Sequence, residues 1–232
     1  MGYTQHYPEP NLKRVRLSDK GTLNGNIQRI MRWGDIAEAC QSRYGCPQNI
    51  LLGMMGRESY GDPVQPNAGG DGGLGLRHIQ PSNTLRYGLR MITPSGRLVD
   101  HVQGKKIFEA IHQERYDLKE LIKYDDRFHP IMGIDVAARM MCDLFSETRN
   151  WDRALERYAG RASYDSWVGT IAKSLKDPKI MQKVRDDFDA KNANLVVGGA
   201  RLTFDRYLKM FHEQNINYGL NDYKKLAPAR VV

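Results

Sequence analysis

The sequence predicts a mainly α chain folded as a single globular domain, with any sheet reduced to a short ribbon. Apolar residues recur at spacings of three and four along most of the chain, as in helices that bury one face. Strand signals are confined to Leu74 to Ile79 and to Leu195-Val196-Val197. A length of 232 residues, with 41% hydrophobic and 9% aromatic, is enough to enclose a core despite a mean hydropathy of -0.60. No internal repeat or low-complexity tract interrupts the pattern.

Residues 1–24, with Pro8, Pro10, the basic cluster Lys13, Arg14 and Arg16, and Gly21, lack periodicity and read as an extended N-terminal arm. From Asn26 the pattern turns helical through Ile27, Ile30, Met31, Ile36 and Ala39. Gly45-Cys46-Pro47 breaks it, and a second helix is expected from Pro47 to Tyr60, with proline in its first turn and Gly61 as its stop. Residues 61–75 read as a long loop rich in proline and glycine, followed by a short helix led by Pro81 and a turn at Thr93-Pro94-Ser95-Gly96. Helical patterns then cover 104–123, 130–147, 150–159, 164–174, 177–191 and 200–214. The implied organisation is an arm at 1–24, a main domain at 25–191 and a helical extension at 192–232. Phe204, Tyr207, Leu208, Phe211 and Tyr218 of that extension have the spacing to pack on the domain.

The net charge of +8 is spread along both halves of the chain and favours polyanionic partners: nucleic acid, an anionic membrane surface or a bacterial cell wall. No apolar run approaches the roughly 20 residues of a membrane span, and residues 1–20 hold no apolar stretch of the signal-peptide kind. The three cysteines, Cys40, Cys46 and Cys142, are too few for a disulfide scaffold. Cys40 and Cys46 either pair across a short loop or stay as buried thiols. Nucleic-acid binding lacks an aromatic-basic motif, a zinc module or a recognition helix. The six histidines have no metal-ligand spacing, and no Walker A or HExxH motif is present, so no cofactor and no metal are expected. Gly70 to Gly75 satisfies G-x-G-x-x-G, but a helix precedes it and Pro81 follows, which is the wrong context for a dinucleotide site. Its glycines fit either an exposed flexible loop or a place where backbone approaches a ligand.

The helix before this loop carries the chemistry. Leu51, Met54, Met55 and Glu58 fall at i, i+3, i+4 and i+7, which puts Glu58 on the apolar stripe at the helix end. Gly53 and Gly56 each weaken the helix by roughly 1 kcal/mol unless another element packs closely there. Burial and the negative end of the helix dipole would raise the pKa of Glu58, making it a candidate general acid.

Arg57-Glu58-Ser59, the glycine-rich loop and Gly75-Leu76-Arg77-His78-Ile79 together resemble the goose-type lysozyme and soluble lytic transglycosylase superfamily. In that family the catalytic glutamate of a Glu-Ser pair ends a helix, and a Gly-Leu-Met-Gln-Ile/Val segment follows on a small β-ribbon. Asp71, thirteen residues after Glu58 within Gly70-Asp71-Gly72-Gly73, matches the aspartate proposed to position water in goose-type enzymes. His129 to Ala138 resembles the family's Asp-Pro-x-x-Asn-Ile helix start, and Ala154 to Gly160 its Ala-x-x-Tyr-Asn-Ala-Gly segment. The likeness spans residues 45–165. It departs at His78, where the family has glutamine (Gln80 lies two residues on), at Gly133, where it has asparagine, and in the missing asparagine after Tyr158.

The resemblance implies a lysozyme-like domain with its ribbon beside a cleft, and a glycosidase that cuts peptidoglycan between N-acetylmuramic acid and N-acetylglucosamine. Glu58 would be the general acid/base and Asp71 a second catalytic carboxylate. Ser59, Gly75, Leu76, His78, Gln80 and Tyr158 would serve the substrate, with Tyr158 bonding Glu58 or the sugar. Bacterial glycan strands are the implied partner; nucleic acid is not. The site of action would be periplasm or cell wall, reached as a phage virion-associated or holin-released product or as a mature form without its leader. The alternative is a catalytically weakened wall-binding protein of the same fold.

Overall fold

The computed structural model describes residues 10–65, 67, 72–91 and 118–229. Two features set its architecture: a central helix with no solvent-facing side along most of its length, and a second, C-terminal cluster of aromatic residues. The fold is mainly helical with one short antiparallel ribbon, the class the sequence predicts. A 3-10 turn at Pro10–Arg14 is followed by α1 (Leu23–Ile30), α2 (Gly34–Tyr44), α3 (Gln48–Glu58) and the short α4 (Pro81–Arg86). Next come α5 (Leu118–Tyr124), α6 (Pro130–Thr148), α7 (Trp151–Ala159), α8 (Tyr164–Ser174) and α9 (Pro178–Lys191). Strands β1 (Val196–Val197) and β2 (Ala200–Arg201) pair antiparallel, and α10 (Phe204–Asn217) and α11 (Leu220–Lys224) end the described chain.

Local chemistry explains most boundaries. Thr22, Asn150, Asp177 and Thr203 cap α1, α7, α9 and α10 by accepting from backbone N–H groups of the first turn. Pro130 and Pro178 occupy first-turn positions, and Gly45 and Gly160 end α2 and α7 in the left-handed region. The helix expected from Asn26 is interrupted by a 3-10 turn at Met31–Trp33, which separates α1 from α2. β2 occupies residues read as the start of the last helix, because Gly198 and Gly199, both at positive φ, turn the chain into a hairpin before Thr203 caps α10. The expected helical stretch at 104–117 and the turn at Thr93 to Gly96 lie outside the described residues.

The first core cluster surrounds α3, whose residues Leu51 to Gly56 are all buried. Each large side chain there contributes about 1.5–3 kcal/mol by leaving water. Gly53 and Gly56 do face a close neighbour: a Cβ on Gly53 would lie 2.7 Å from the carbonyl oxygen of Val168, and one on Gly56 2.7 Å from Cδ1 of Ile171, both on α8. Cys40, Cys46 and Cys142 are buried free thiols of this cluster, and Cys142 Sγ donates to the Tyr44 carbonyl at 3.3 Å.

A second cluster gathers Leu12, Ile27, Phe188, Val197, Phe204, Tyr207 and Phe211. Its members come from both ends of the described chain. The described part of the N-terminal segment is not a free arm, since Leu12 is fully buried and Asn192 clamps Arg16 through its backbone N–H and carbonyl (both 2.9 Å). Across residue 191, α9 and α10 bury their aromatic rings against each other in this cluster.

Candidate functional site

Glu58 is the last residue of α3, and three segments distant in sequence meet its carboxyl group. Tyr164, the first residue of α8 and itself buried, donates from its hydroxyl to Glu58 Oε1 at 2.7 Å. His78 Nδ1 lies 3.4 Å from Oε2. The Glu58 side chain keeps 20% of its surface exposed, toward a cavity of about 220 Å³ lined also by Arg77, His78, Gln80, Asn83, Tyr158 and Arg161. A larger concavity of about 680 Å³ sits at the other end of α3, between Met31, Gln48, Leu52 and Lys176, but neither a carboxyl nor an imidazole lines it. Of these two, the smaller cavity carries both a carboxyl and an imidazole, the groups that proton transfer needs.

The segment Leu74 to Ile79 places His78. Leu74 and Ile79 form a single antiparallel bridge, and the turn between them is closed by His78 N–H donating to the Gly75 carbonyl at 3.2 Å. Ser59 is completely buried and donates to the Leu76 carbonyl at 2.8 Å, so it ties this turn to the end of α3. His78 adopts φ +43, a left-handed conformation that costs a non-glycine residue of order 1–3 kcal/mol and is maintained only when the surroundings fix it. Gly75, at φ +78, must be glycine for another reason: a Cβ would lie 2.0 Å from the carbonyl oxygen of Arg127.

Arg127 is the buttress behind the turn. Its guanidinium is fully buried, paired with both oxygens of the equally buried Asp125 (2.9 and 2.6 Å), and donates to the Gly72 carbonyl at 2.8 Å. The described glycines Gly72, Gly73 and Gly75 are buried, and Gly75 lies against the Arg127 backbone, while Gly69 and Gly70 of the same loop lie outside the described residues.

Burial alone would push the Glu58 carboxyl up. Hydrogen bonds from His78 and Tyr164, with the charges of His78 and Arg77, outweigh it and hold the group below the ordinary glutamate range. This reverses the direction expected from burial and the helix dipole. Burial and the neighbouring Glu58 charge push the Tyr164 phenol well up, so it remains a donor. Beneath the cavity floor Arg77 is buried, donating to the Leu51 carbonyl (3.1 Å) and to Met54 Sδ (2.8 Å) with its charge 5.4 Å from the Tyr158 ring centre.

Of the residues selected from sequence, Glu58, His78, Gln80 and Tyr158 line one cavity. Tyr158 does not bond Glu58; it donates to the Arg77 carbonyl at 3.1 Å, and Tyr164 takes the expected place. Ser59, Gly75 and Leu76 face the protein interior and support the turn from within. Asp71 lies outside the described residues. Sequence reasoning missed Tyr164, Arg77 and the Asp125–Arg127 pair, because nothing in their spacing ties them to Glu58. It also missed Asp62, one turn beyond Glu58, a buried carboxyl that accepts from Val64 N–H at 3.1 Å and is pushed by burial up to about 6.

Among the described residues no group of His, Cys, Asp and Glu side chains is arranged to hold a metal ion. No helix among them is long and apolar enough to cross a membrane. Compared with protein-family models, curated proteins and solved structures, the chain matches none.

Proposed function

We propose that this chain is a peptidoglycan-cleaving glycosidase, a lytic transglycosylase or muramidase, that acts on the bond between N-acetylmuramic acid and N-acetylglucosamine with Glu58 as general acid/base. The observation that carries the reading is a single carboxyl group, four-fifths buried, gripped by a tyrosine and a histidine and turned toward a polar cavity. The sequence likeness to the lytic transglycosylases supplies the substrate class.

In the resting site Glu58 is ionised. A sugar strand that fills the cavity removes the remaining water, and loss of water favours the neutral acid, because burial is already the largest single influence on this group. Glu58 then protonates the glycosidic oxygen as the bond breaks through an oxocarbenium-like transition state. The resulting carboxylate accepts a proton either from the muramoyl C6 hydroxyl, giving a 1,6-anhydro end, or from water, giving a reducing end. Tyr164 holds Oε1 throughout, and His78 stabilises the ionised form. The site of action on this reading is the periplasm or cell wall.

The depressed Glu58 pKa also supports a second reading, a wall-binding protein whose carboxylate stays ionised and no longer cleaves. Mass spectrometry of digested sacculi separates the two. Anhydromuramoyl or reducing ends support the enzyme and identify its product. With general acid/base catalysis at stake, Glu58→Gln should slow their release by about 10²–10⁴-fold. Undiminished digestion by Glu58→Gln would overturn the assignment of Glu58, and no new ends from the unaltered protein would leave the binding reading.

A further inference from the structure

We propose that the cavity beside Glu58 selects a carboxylate-bearing sugar strand over a neutral one, and that Arg161 makes the selection; this rests on the wall-glycan reading above. Arg77, His78 and Arg161 line the cavity against Glu58, the one acidic side chain among its described lining residues. The three basic groups are not equivalent. Both terminal nitrogens of Arg77 are committed to Leu51 and Met54, so it contributes charge but cannot fork onto a ligand. His78 turns Nδ1 to Glu58, and its Nε2 is buried without a partner among the described residues.

Arg161 differs from both. It is exposed at the cavity rim, and its guanidinium makes no hydrogen bond or ion pair among the described residues. Its backbone is fixed, however: Gly160 ends α7 at φ +66, and Arg161 N–H donates to the Glu156 carbonyl at 3.2 Å. A free planar guanidinium on a fixed backbone is suited to a bidentate grip on a carboxylate. A neutral polysaccharide leaves it unpaired. The net positive lining also concentrates anionic strands near Glu58 before contact is made. On a wall glycan the carboxylate is either the lactyl group of the muramic ring, free in strands stripped of peptide, or a carboxylate of the stem peptide.

The test measures binding to Glu58→Gln protein, so that turnover does not intervene. Three probes of equal length are titrated by calorimetry: amidase-stripped glycan strands, soluble strands with stem peptides, and chitooligosaccharide. The expected result is binding of at least one anionic strand about tenfold tighter than chitooligosaccharide. Adding Arg161→Gln should abolish that preference, adding Arg161→Lys should restore part of it, and raised salt should weaken it. Preference for stripped strands identifies the lactyl carboxylate; preference confined to peptide-bearing strands identifies the stem. Equal affinity for all three probes, no binding to any of them, or a preference that survives Arg161→Gln overturns the proposal. Failure of the glycosidase reading shows separately, as sacculi that the unaltered protein leaves without new ends.

Discussion

Glu58 shows how opposing influences of similar size decide the state of one residue. Its burial was legible because Leu51, Met54 and Met55 set a stripe that ends on it. Its ionisation was not legible, because the two groups that reverse the effect of burial, His78 and Tyr164, come from a turn and a helix whose approach no spacing announces. Removing either partner leaves burial less opposed, so the Glu58 carboxyl should titrate at higher pH in His78→Asn and in Tyr164→Phe. Asparagine is the informative replacement at position 78, because it tolerates the left-handed backbone there while removing the imidazole. Carbon-13 NMR of the glutamate carboxyls, with Glu58→Gln to identify the signal, reads this directly. If Glu58 must be protonated to turn over, the alkaline limb of the activity profile moves up with it. The stability sign runs the same way. A carboxylate held below its unfolded pKa stabilises the fold above that pKa, and the contribution is lost as pH falls through the folded value. Both variants should therefore flatten the acid limb of a pH–stability curve; an unchanged Glu58 titration in both would show that neither residue holds the charge.

At the scale of elements, α3 was read correctly in position, because Pro47 and Gly61 bracket it, but as a helix with one buried face. It is buried on all sides from Leu51 to Gly56, and glycines that look like defects in a helix are the places where α8 comes close. The sequence raised that possibility without naming α8, since proximity between helices more than 100 residues apart leaves no local trace. Alanine at either position would gain about 1 kcal/mol in an isolated helix. In the fold the two should diverge. At Gly53 the new methyl meets the Val168 carbonyl oxygen at 2.7 Å and its Cγ1 at 2.9 Å, and backbone cannot rotate away. At Gly56 the one clash is with the end of the Ile171 side chain, which can, while Ile30 stays at ordinary contact distance of 3.8 Å. Gly53→Ala should cost about 1–3 kcal/mol, as overpacking does, while Gly56→Ala stays close to neutral. Urea denaturation of the two variants measures the difference; equal effects would mean that α8 yields as a unit.

On the scale of the whole molecule, the question is whether the N-terminal segment and the C-terminal helices are appendages or part of one cooperative structure. Composition suggested an extended arm at the N-terminal end, because residues 1–24 combine prolines and basic residues with little periodicity, and a C-terminal extension packed on the domain. Yet Leu12 is fully buried among Phe188, Phe204 and Tyr207, and Asn192 and Asp187 hold Arg16 and Ser18 from the end of α9. The C-terminal helix α10 reaches back as well: Phe211 meets Trp33 edge-on at 6.3 Å, and Asn215 donates to the Arg32 carbonyl at 2.9 Å and to Asp35 at 2.7 Å. Since Arg32 and Trp33 both donate to the Gly61 carbonyl, at 2.8 Å, the aromatic cluster is mechanically continuous with the turn that follows Glu58. A leucine on a loose arm could be truncated at no cost. Here Leu12→Ala should cost about 2–5 kcal/mol, the range for a buried leucine whose cavity cannot collapse fully. In a domain of this size each kcal/mol lowers Tm by about 2–4 °C. Lys13→Ala, one residue along and exposed, should change little. Circular dichroism reports all helices and tryptophan fluorescence includes Trp33 at the junction, so the two melting curves of Leu12→Ala should shift together. Curves that separate would mean that the C-terminal cluster melts on its own and that the chain from α2 to α8 keeps the Glu58 site without it.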